Sequence, residues 1–193
     1  MRPSEILSLL QTTGAIQDGH FQLSSGLHSR QYIQCAAVME HPTLSARLCG
    51  ALARGFMMDN ASVVASPAVG GVIVGYELAR ALGSRSIFGE RVEGKFQFRR
   101  SFTITPQDRV VIAEDVVTTG GSSMELLELV RAKGATVVGV GALIDRSGGL
   151  TDFPVKFHAL TSLPIKAFTE KSCPMCKEQI PINKPGSRPG PLL

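Results

Sequence analysis

The sequence predicts an open, mostly parallel α/β sheet of five strands flanked by helices, with a small N-terminal addition. Two observations carry that expectation. Short apolar, β-branched runs at 62–65, 86–88, 110–113, 136–143 and 155–160 suit strands buried on both faces. Between the earlier runs lie stretches of helical period at 70–82 and 121–133, the second stopped by Gly134. Strand-then-helix alternation is the pattern of a parallel sheet with both faces covered.

The N-terminal elements follow in order. Residues 4–11 form a short amphipathic helix with Ile6, Leu7, Leu9 and Leu10 on its apolar side, ended by Gly14. From 15 to 37 the alternation is irregular and broken by Gly19, Ser24, Ser25 and Gly26, which predicts short strands joined by a turn. His41-Pro42-Thr43 opens a second helix reaching about Asp59, with Leu44, Leu48, Leu52 and Phe56 at helical spacing. The chain therefore divides into a helix and hood at 1–40, an α/β core at 41–170 and a tail at 171–193. The Pro- and Gly-rich end from Asn183 onward is expected to be loose.

Composition narrows the function. A 44% hydrophobic and 19% charged chain of 193 residues can bury a core as one domain. No run of eighteen apolar residues exists, so no membrane partner is expected. Met1-Arg2-Pro3-Ser4-Glu5 lacks the order of a signal peptide, and four cysteines without one imply reduced thiols in the cytoplasm. The net charge of +4 concentrates at Arg91, Lys95, Arg99 and Arg100, with aromatics at only 6%. That cluster suits attraction of a small polyanion better than nucleic acid.

The most informative segment starts as the strand 110–113 and continues Glu114, Asp115, Val116, Val117, Thr118, Thr119, Gly120, Gly121, Ser122. Two adjacent carboxylates leave the C-terminal end of a buried strand, where open α/β sheets bind ligands. Hydroxyls, glycines and a helix N-terminus then follow, a cradle for a dianionic phosphate. The acidic pair can accept hydrogen bonds from vicinal ribose hydroxyls. Thr-Thr-Gly-Gly-Ser alone would be an ordinary strand-to-helix turn, but two carboxylates leaving a hydrophobic strand are costly unless something binds them. The segment is neither a Walker loop nor Gly-x-Gly-x-x-Gly.

This segment resembles the phosphoribosyl pyrophosphate (PRPP) signature of the type I phosphoribosyltransferases. Residues 19–29, 66–71, 99–102 and 144–146 resemble, in family order, segments of its orotate-specific bacterial branch. The resemblance implies that Ala68, Val69, Gly70 and Gly71 bind pyrophosphate through their main chain. It makes 90–101 a mobile catalytic hairpin in which Arg91 and Lys95 meet the leaving group, although this loop is short and lacks the histidine of the best-known members. It further implies that Arg146 and Thr118 hold orotate, that Mg²⁺ is the cofactor with no direct protein ligand, and that the enzyme is a homodimer with shared sites.

Several residues keep two readings. Arg146 fits a carboxylate clamp or a surface pair with Asp145 or Asp152. Tyr32 fits a ring-lining or a hood-core role, and His20 and His28 fit structural and ligand roles equally. Ser24 stands where many relatives carry lysine, a subfamily mark. Cys173 and Cys176 form one Cys-x-x-Cys; zinc wants four ligands, and Cys35 and Cys49 look distant, so tail packing is favoured over a metal. Transfer to another base, or PRPP sensing without catalysis, are the alternatives to orotate chemistry. No helix-turn-helix supports a DNA-binding regulator.

Overall fold

The computed structural model of the chain describes residues 1–23 and 25–185; Ser24 and the end of the tail from residue 186 lie outside it. The chain opens with α1 (Pro3–Thr12), started by proline in its first turn and by the Arg2 N–H donating to Glu5 at 2.8 Å. Gly14, at φ 73°, ends it. The hairpin β1 (Ile16–Gln22) and β2 (His28–Ile33) follows as expected, and then a short α2 (Ala36–Met39) that the sequence did not signal.

α3 (Pro42–Ala53) is shorter than its periodicity predicted. The reason is tertiary. Phe56 leaves the helical line and fills a slot over Gly139 and Gly141, where a Cβ would come within 2.7 and 2.9 Å of its ring. The core units then alternate: β3 (Val63–Pro67), α4 (Gly71–Leu82), β4 (Arg85–Val92), β5 (Lys95–Phe98), β6 (Arg109–Val117), α5 (Gly121–Ala132), β7 (Thr136–Asp145) and β8 (Phe157–Ser162). A short β9 (Ala167–Phe168), a helical turn (Glu170–Ser172) and α6 (Pro174–Lys177) complete the described chain.

The main sheet has the order β5-β4-β3-β6-β7-β8. Five of its strands are parallel, as the sequence predicted. The sixth is an addition: residues 90–101 form not only a hairpin but an antiparallel edge strand, with Phe98 opposite Gly89 and Lys95 opposite Val92. Phe96 explains it, because its buried ring joins the core beneath α5.

Alternate side chains serve opposite faces, as strand geometry requires. Val64, Val111 and Ala113 face a core with α3 and α4, whereas Val63, Ala65, Val110 and Ile112 face a second core with Leu126, Leu127 and Val130 of α5. Ile6, Leu10 and Ile33 of the N-terminal elements belong to the first core, so the hood is packed onto the sheet rather than tethered to it.

The hood sheet also has a strand that the sequence reading did not assign to it. β9 pairs with β2, His28 opposite Phe168, giving the order β1-β2-β9. Farther on, the Asn183 N–H donates to the His20 carbonyl at 2.7 Å and the Asn183 carbonyl accepts from the Gln22 N–H at 2.9 Å. The segment 167–183 is thus built into the hood. Among the described residues, no helix is long and apolar enough to cross a membrane.

Phe56 is 1% exposed and spans α3 and β7, so Phe56→Ala should cost about 3–5 kcal/mol of stability. Urea denaturation measures this directly; a loss below ~1 kcal/mol would show that the slot collapses around the smaller side chain.

Candidate functional site

The site forms where β6 ends. The strand runs beyond the predicted end at residue 113, so Glu114 and Asp115 lie within β6 near its C-terminal end, and the chain then turns through Thr118, Thr119 and Gly120 into α5. Residues 116–123, with Glu114, line a cavity of about 190 Å³ at the N-terminus of that helix. The N–H groups of a first helical turn have no intrahelical partner, and the helix dipole adds positive potential there. Gly120 makes the turn possible: its φ is 75°, and a Cβ would lie 2.6 Å from Thr151 Cγ2. Every residue of the predicted phosphate cradle therefore borders one cavity.

The acidic pair is held by its surroundings. Glu114 is buried and its Oε2 accepts from the Ser123 hydroxyl at 3.3 Å; Asp115 Oδ1 accepts from the Val116 N–H at 2.9 Å. Burial raises both carboxyls above the ordinary range, and the neighbouring Asp115 charge helps lift Glu114 to about 9. Without a bound partner the pair thus favours holding a proton at neutral pH.

The loop after β3 closes onto this pair. A Cβ on Gly70 would come 3.1 Å from Asp115 Oδ2, so the absence of a side chain lets the loop lie closely against the carboxyl. The Ala68 N–H donates to the Gly89 carbonyl at 2.8 Å, and the Ala68–Val69 peptide is cis. Of the four residues Ala68, Val69, Gly70 and Gly71 that the resemblance assigns to pyrophosphate, Gly70 stands against Asp115, Gly71 packs on Ala113, Pro67 and Ser66, and Val69 is exposed.

Arg146 follows β7 and is tied to the end of β6, its N–H donating to the Val117 carbonyl at 2.8 Å. The alternative ion pair with Asp145 is not formed. Asp145 Oδ1 instead accepts from the Ser147 N–H at 2.8 Å and hydroxyl at 2.6 Å. Arg146 Nε is buried with no hydrogen-bond partner among the described residues. Burial lowers the guanidinium pKa, while the nearby Tyr32 of the hood acts the other way. The group remains charged at any physiological pH.

The hairpin residues are engaged elsewhere. Arg91 pairs with Glu125 of α5 at 2.9 Å, donates to the Gly94 carbonyl at 2.6 Å and stacks over Phe96 at 4.0 Å. Glu125 also accepts from the Phe96 N–H at 2.8 Å, so it anchors the hairpin to the helix that opens at the phosphate cavity. Arg100 pairs with Glu90 at 2.9 Å, and Lys95 and Arg99 are exposed. Neither Arg91 nor Lys95 lines the cavity. Sequence reasoning missed Glu125 and Ser123, which look like ordinary polar positions of a helix.

Comparison with known proteins agrees with this geometry. Residues 39–156 match the model of the phosphoribosyl transferase domain. The chain is 50% identical over 188 residues to the orotate phosphoribosyltransferase of Pelotomaculum thermopropionicum, covering 97% of this chain and 99% of that one. It is 45% identical over 188 residues to that of Desulforamulus reducens, covering 97% and 98%. The chain belongs to the orotate phosphoribosyltransferase family. Within the family, the crystal structure of the Aeropyrum pernix enzyme superimposes with a TM-score of 0.71 at 27% identity, covering 82% of this chain and 93% of that one. The domain match begins at residue 39, whereas the full-length relatives also align through the hood. Family membership thus rests on the hood as well as on the shared core.

The raised Glu114 carboxyl has a consequence for stability. Its stabilising contribution is complete below the ordinary value of 4.5 and is lost as pH rises toward about 9, because the unfolded chain ionises first. The Tm of the ligand-free protein should therefore fall more steeply across that window than that of Glu114→Gln. Parallel slopes in calorimetry would show that Glu114 is not held protonated.

Proposed function

We propose that the protein transfers the 5-phosphoribosyl group of PRPP to N1 of orotate, releasing pyrophosphate and forming orotidine 5′-monophosphate in pyrimidine (UMP) biosynthesis. The observation that carries the choice of base is Arg146: it is tied to the end of β6, its buried Nε has no hydrogen-bond partner among the described residues, and Tyr32 of the hood is near enough to act on its charge. Orotate is the pyrimidine whose carboxylate supplies the missing acceptors, and a planar guanidinium meets a carboxylate through two parallel bonds. Uracil, adenine and hypoxanthine have no such group.

The reaction needs no nucleophilic side chain, because orotate itself attacks C1 of the ribose. Bond breaking leads, so the sugar passes through an oxocarbenium-like state. The chain contributes positioning and neutralisation of the departing charge. Thr118 to Ser122 and the helix N-terminus hold the 5-phosphate; Ala68 to Gly71 present main chain to the pyrophosphate. Glu114 and Asp115 accept from the ribose hydroxyls once ionised, and Thr118 borders both phosphate and base.

Mg²⁺ fits this site. The acidic pair and the hydroxyls around it are hard oxygen donors, and burial leaves the pair poised to gain from a nearby cation. Bound through substrate oxygens and water, the ion would add positive charge where the leaving group develops negative charge. The Glu114–Asp115 pair would hold it indirectly, through the ribose hydroxyls.

The working assembly is a homodimer with shared sites. The exposed apolar side chains of Val69, Ile73 and Tyr76 continue from the pyrophosphate loop along the outer face of α4, which supports an interface adjoining the site. The compartment is the cytoplasm, consistent with four free cysteines.

Orotate should be consumed with PRPP and Mg²⁺ far faster than uracil, adenine or hypoxanthine, followed by ultraviolet absorbance. Arg146→Gln should lose about 3 kcal/mol, on the order of a hundredfold, in kcat/KM for orotate. The KM for PRPP should move less than about threefold. Comparable turnover of another base would overturn the orotate assignment.

Arg91 must exchange Glu125 for pyrophosphate to act on the leaving group. Arg91→Ala should then lower kcat and kcat/KM together by roughly a hundredfold. Single-turnover rates separate this from slow hairpin opening. Wild-type rates in both regimes would transfer the role to Lys95.

A further inference from the structure

The hood carries a second cluster of chemistry unconnected with PRPP. His20 of β1, His28 of β2, Cys173 at the start of α6 and Cys176 within it point at one another, the histidines and cysteines being about 150 residues apart in the chain. Their four donor atoms all lie within 4.8 Å of one another. His20 Nε2 is 3.0 Å from His28 Nδ1, 3.6 Å from Cys173 Sγ and 3.7 Å from Cys176 Sγ; Cys176 Sγ is 3.2 Å from His28 Nδ1. His20, His28 and Cys173 are buried, and Cys176 is half-buried.

Hydrogen bonding alone does not account for this convergence. His20 Nδ1 lies 2.7 Å from the Ile180 carbonyl oxygen, which can only accept, so Nδ1 carries the hydrogen. In the neutral ring Nε2 is then a bare lone pair, aimed at the centre of the cluster. One lone pair faces two thiols and a second imidazole, and it can satisfy only one of them well. A cation at the centre satisfies all four at once. The Ile180 contact is also the outer-shell bond that fixes the tautomer of a metal-bound histidine.

We propose that His20 Nε2, His28 Nδ1, Cys173 Sγ and Cys176 Sγ form a structural zinc site. Tetrahedral Zn²⁺ with Zn–S and Zn–N bonds of about 2.3 and 2.0 Å sets ligand-to-ligand edges of roughly 3.3–3.8 Å. The four separations above fall within a few tenths of an ångström of that range. Two thiolates and two neutral imidazoles balance the charge of the ion, and four protein ligands leave no open position for catalysis. A two-iron cluster is disfavoured, because its cysteines and histidines sit on different irons, whereas here a cysteine sulfur and a histidine nitrogen touch. The ion fastens the β1–β2 hairpin to the chain around α6, on the hood that also bears Tyr32.

The test is metal content. Protein expressed with ample zinc, purified without an affinity tag or chelator and dialysed should hold about one zinc per chain by mass spectrometry. X-ray absorption should report two sulfur and two nitrogen neighbours. Cys173→Ser combined with Cys176→Ser should reduce the zinc to below about a tenth per chain. Cys49→Ser, altered at a buried cysteine outside the cluster, should keep it. The wild-type measurements stand even if the double variant fails to fold. Wild-type protein with less than about a tenth of a zinc, a zinc shell without sulfur, or a Cys173–Cys176 disulfide formed under reducing purification would each overturn the proposal. So would zinc fully retained by the folded double variant.

Discussion

The structure is organised around one electrostatic cost, the placing of two adjacent carboxyl groups near the end of a strand whose preceding residues, Val110 to Ala113, are buried and apolar. Beyond each other and the adjoining backbone N–H groups, Glu114 and Asp115 are supported by the Ser123 hydroxyl, too little to offset the loss of water. Their surroundings are arranged for what comes next. The pyrophosphate loop presses a glycine against Asp115, the phosphate turn requires a glycine at 120, and the helix after it presents its positive end. A polyanionic sugar carrying hydroxyls and a cation satisfies this arrangement; solvent alone does so poorly.

That logic was legible in the sequence because it is local. Strand, acidic pair, turn and helix occupy a single run of chain, and each part has its own compositional mark. The five parallel strands were legible for the same reason, since burial on both faces leaves uninterrupted β-branched runs. What escaped were features decided by distant partners. Helical spacing carried α3 to residue 59, but Phe56 is claimed by the slot over β7. Residues 90–101 read as a mobile hairpin, yet buried Phe96 and the bond to Glu125 make 95–98 an edge strand of the main sheet. The two histidines and the Cys-x-x-Cys each had an unremarkable reading alone, and only the fold places them together.

Specificity and chemistry are divided between parts of different character. The phosphate cavity belongs wholly to the parallel core and would look the same for many bases. Arg146 stands at the seam between core and hood, where Tyr32 is its neighbour. An arginine at such a seam, its buried Nε without a partner among the described residues, would select by charge and shape together in the proposed reaction, since a base lacking acceptors there would leave it desolvated.

The hood sheet joins residues from both ends of the chain, with β9 and Asn183 completing what β1 and β2 begin. On a ribosome, the hairpin must therefore wait for nearly the whole polypeptide before its last strand exists. The parallel core, whose strands are all translated earlier, can condense first. A message truncated near its end would yield a molecule with an intact phosphate cavity and an unfinished roof, its hairpin edge open to pairing with other chains. Residues 167–183 thus supply the last strand and the closing contacts of a roof over a cavity that the earlier strands have already built.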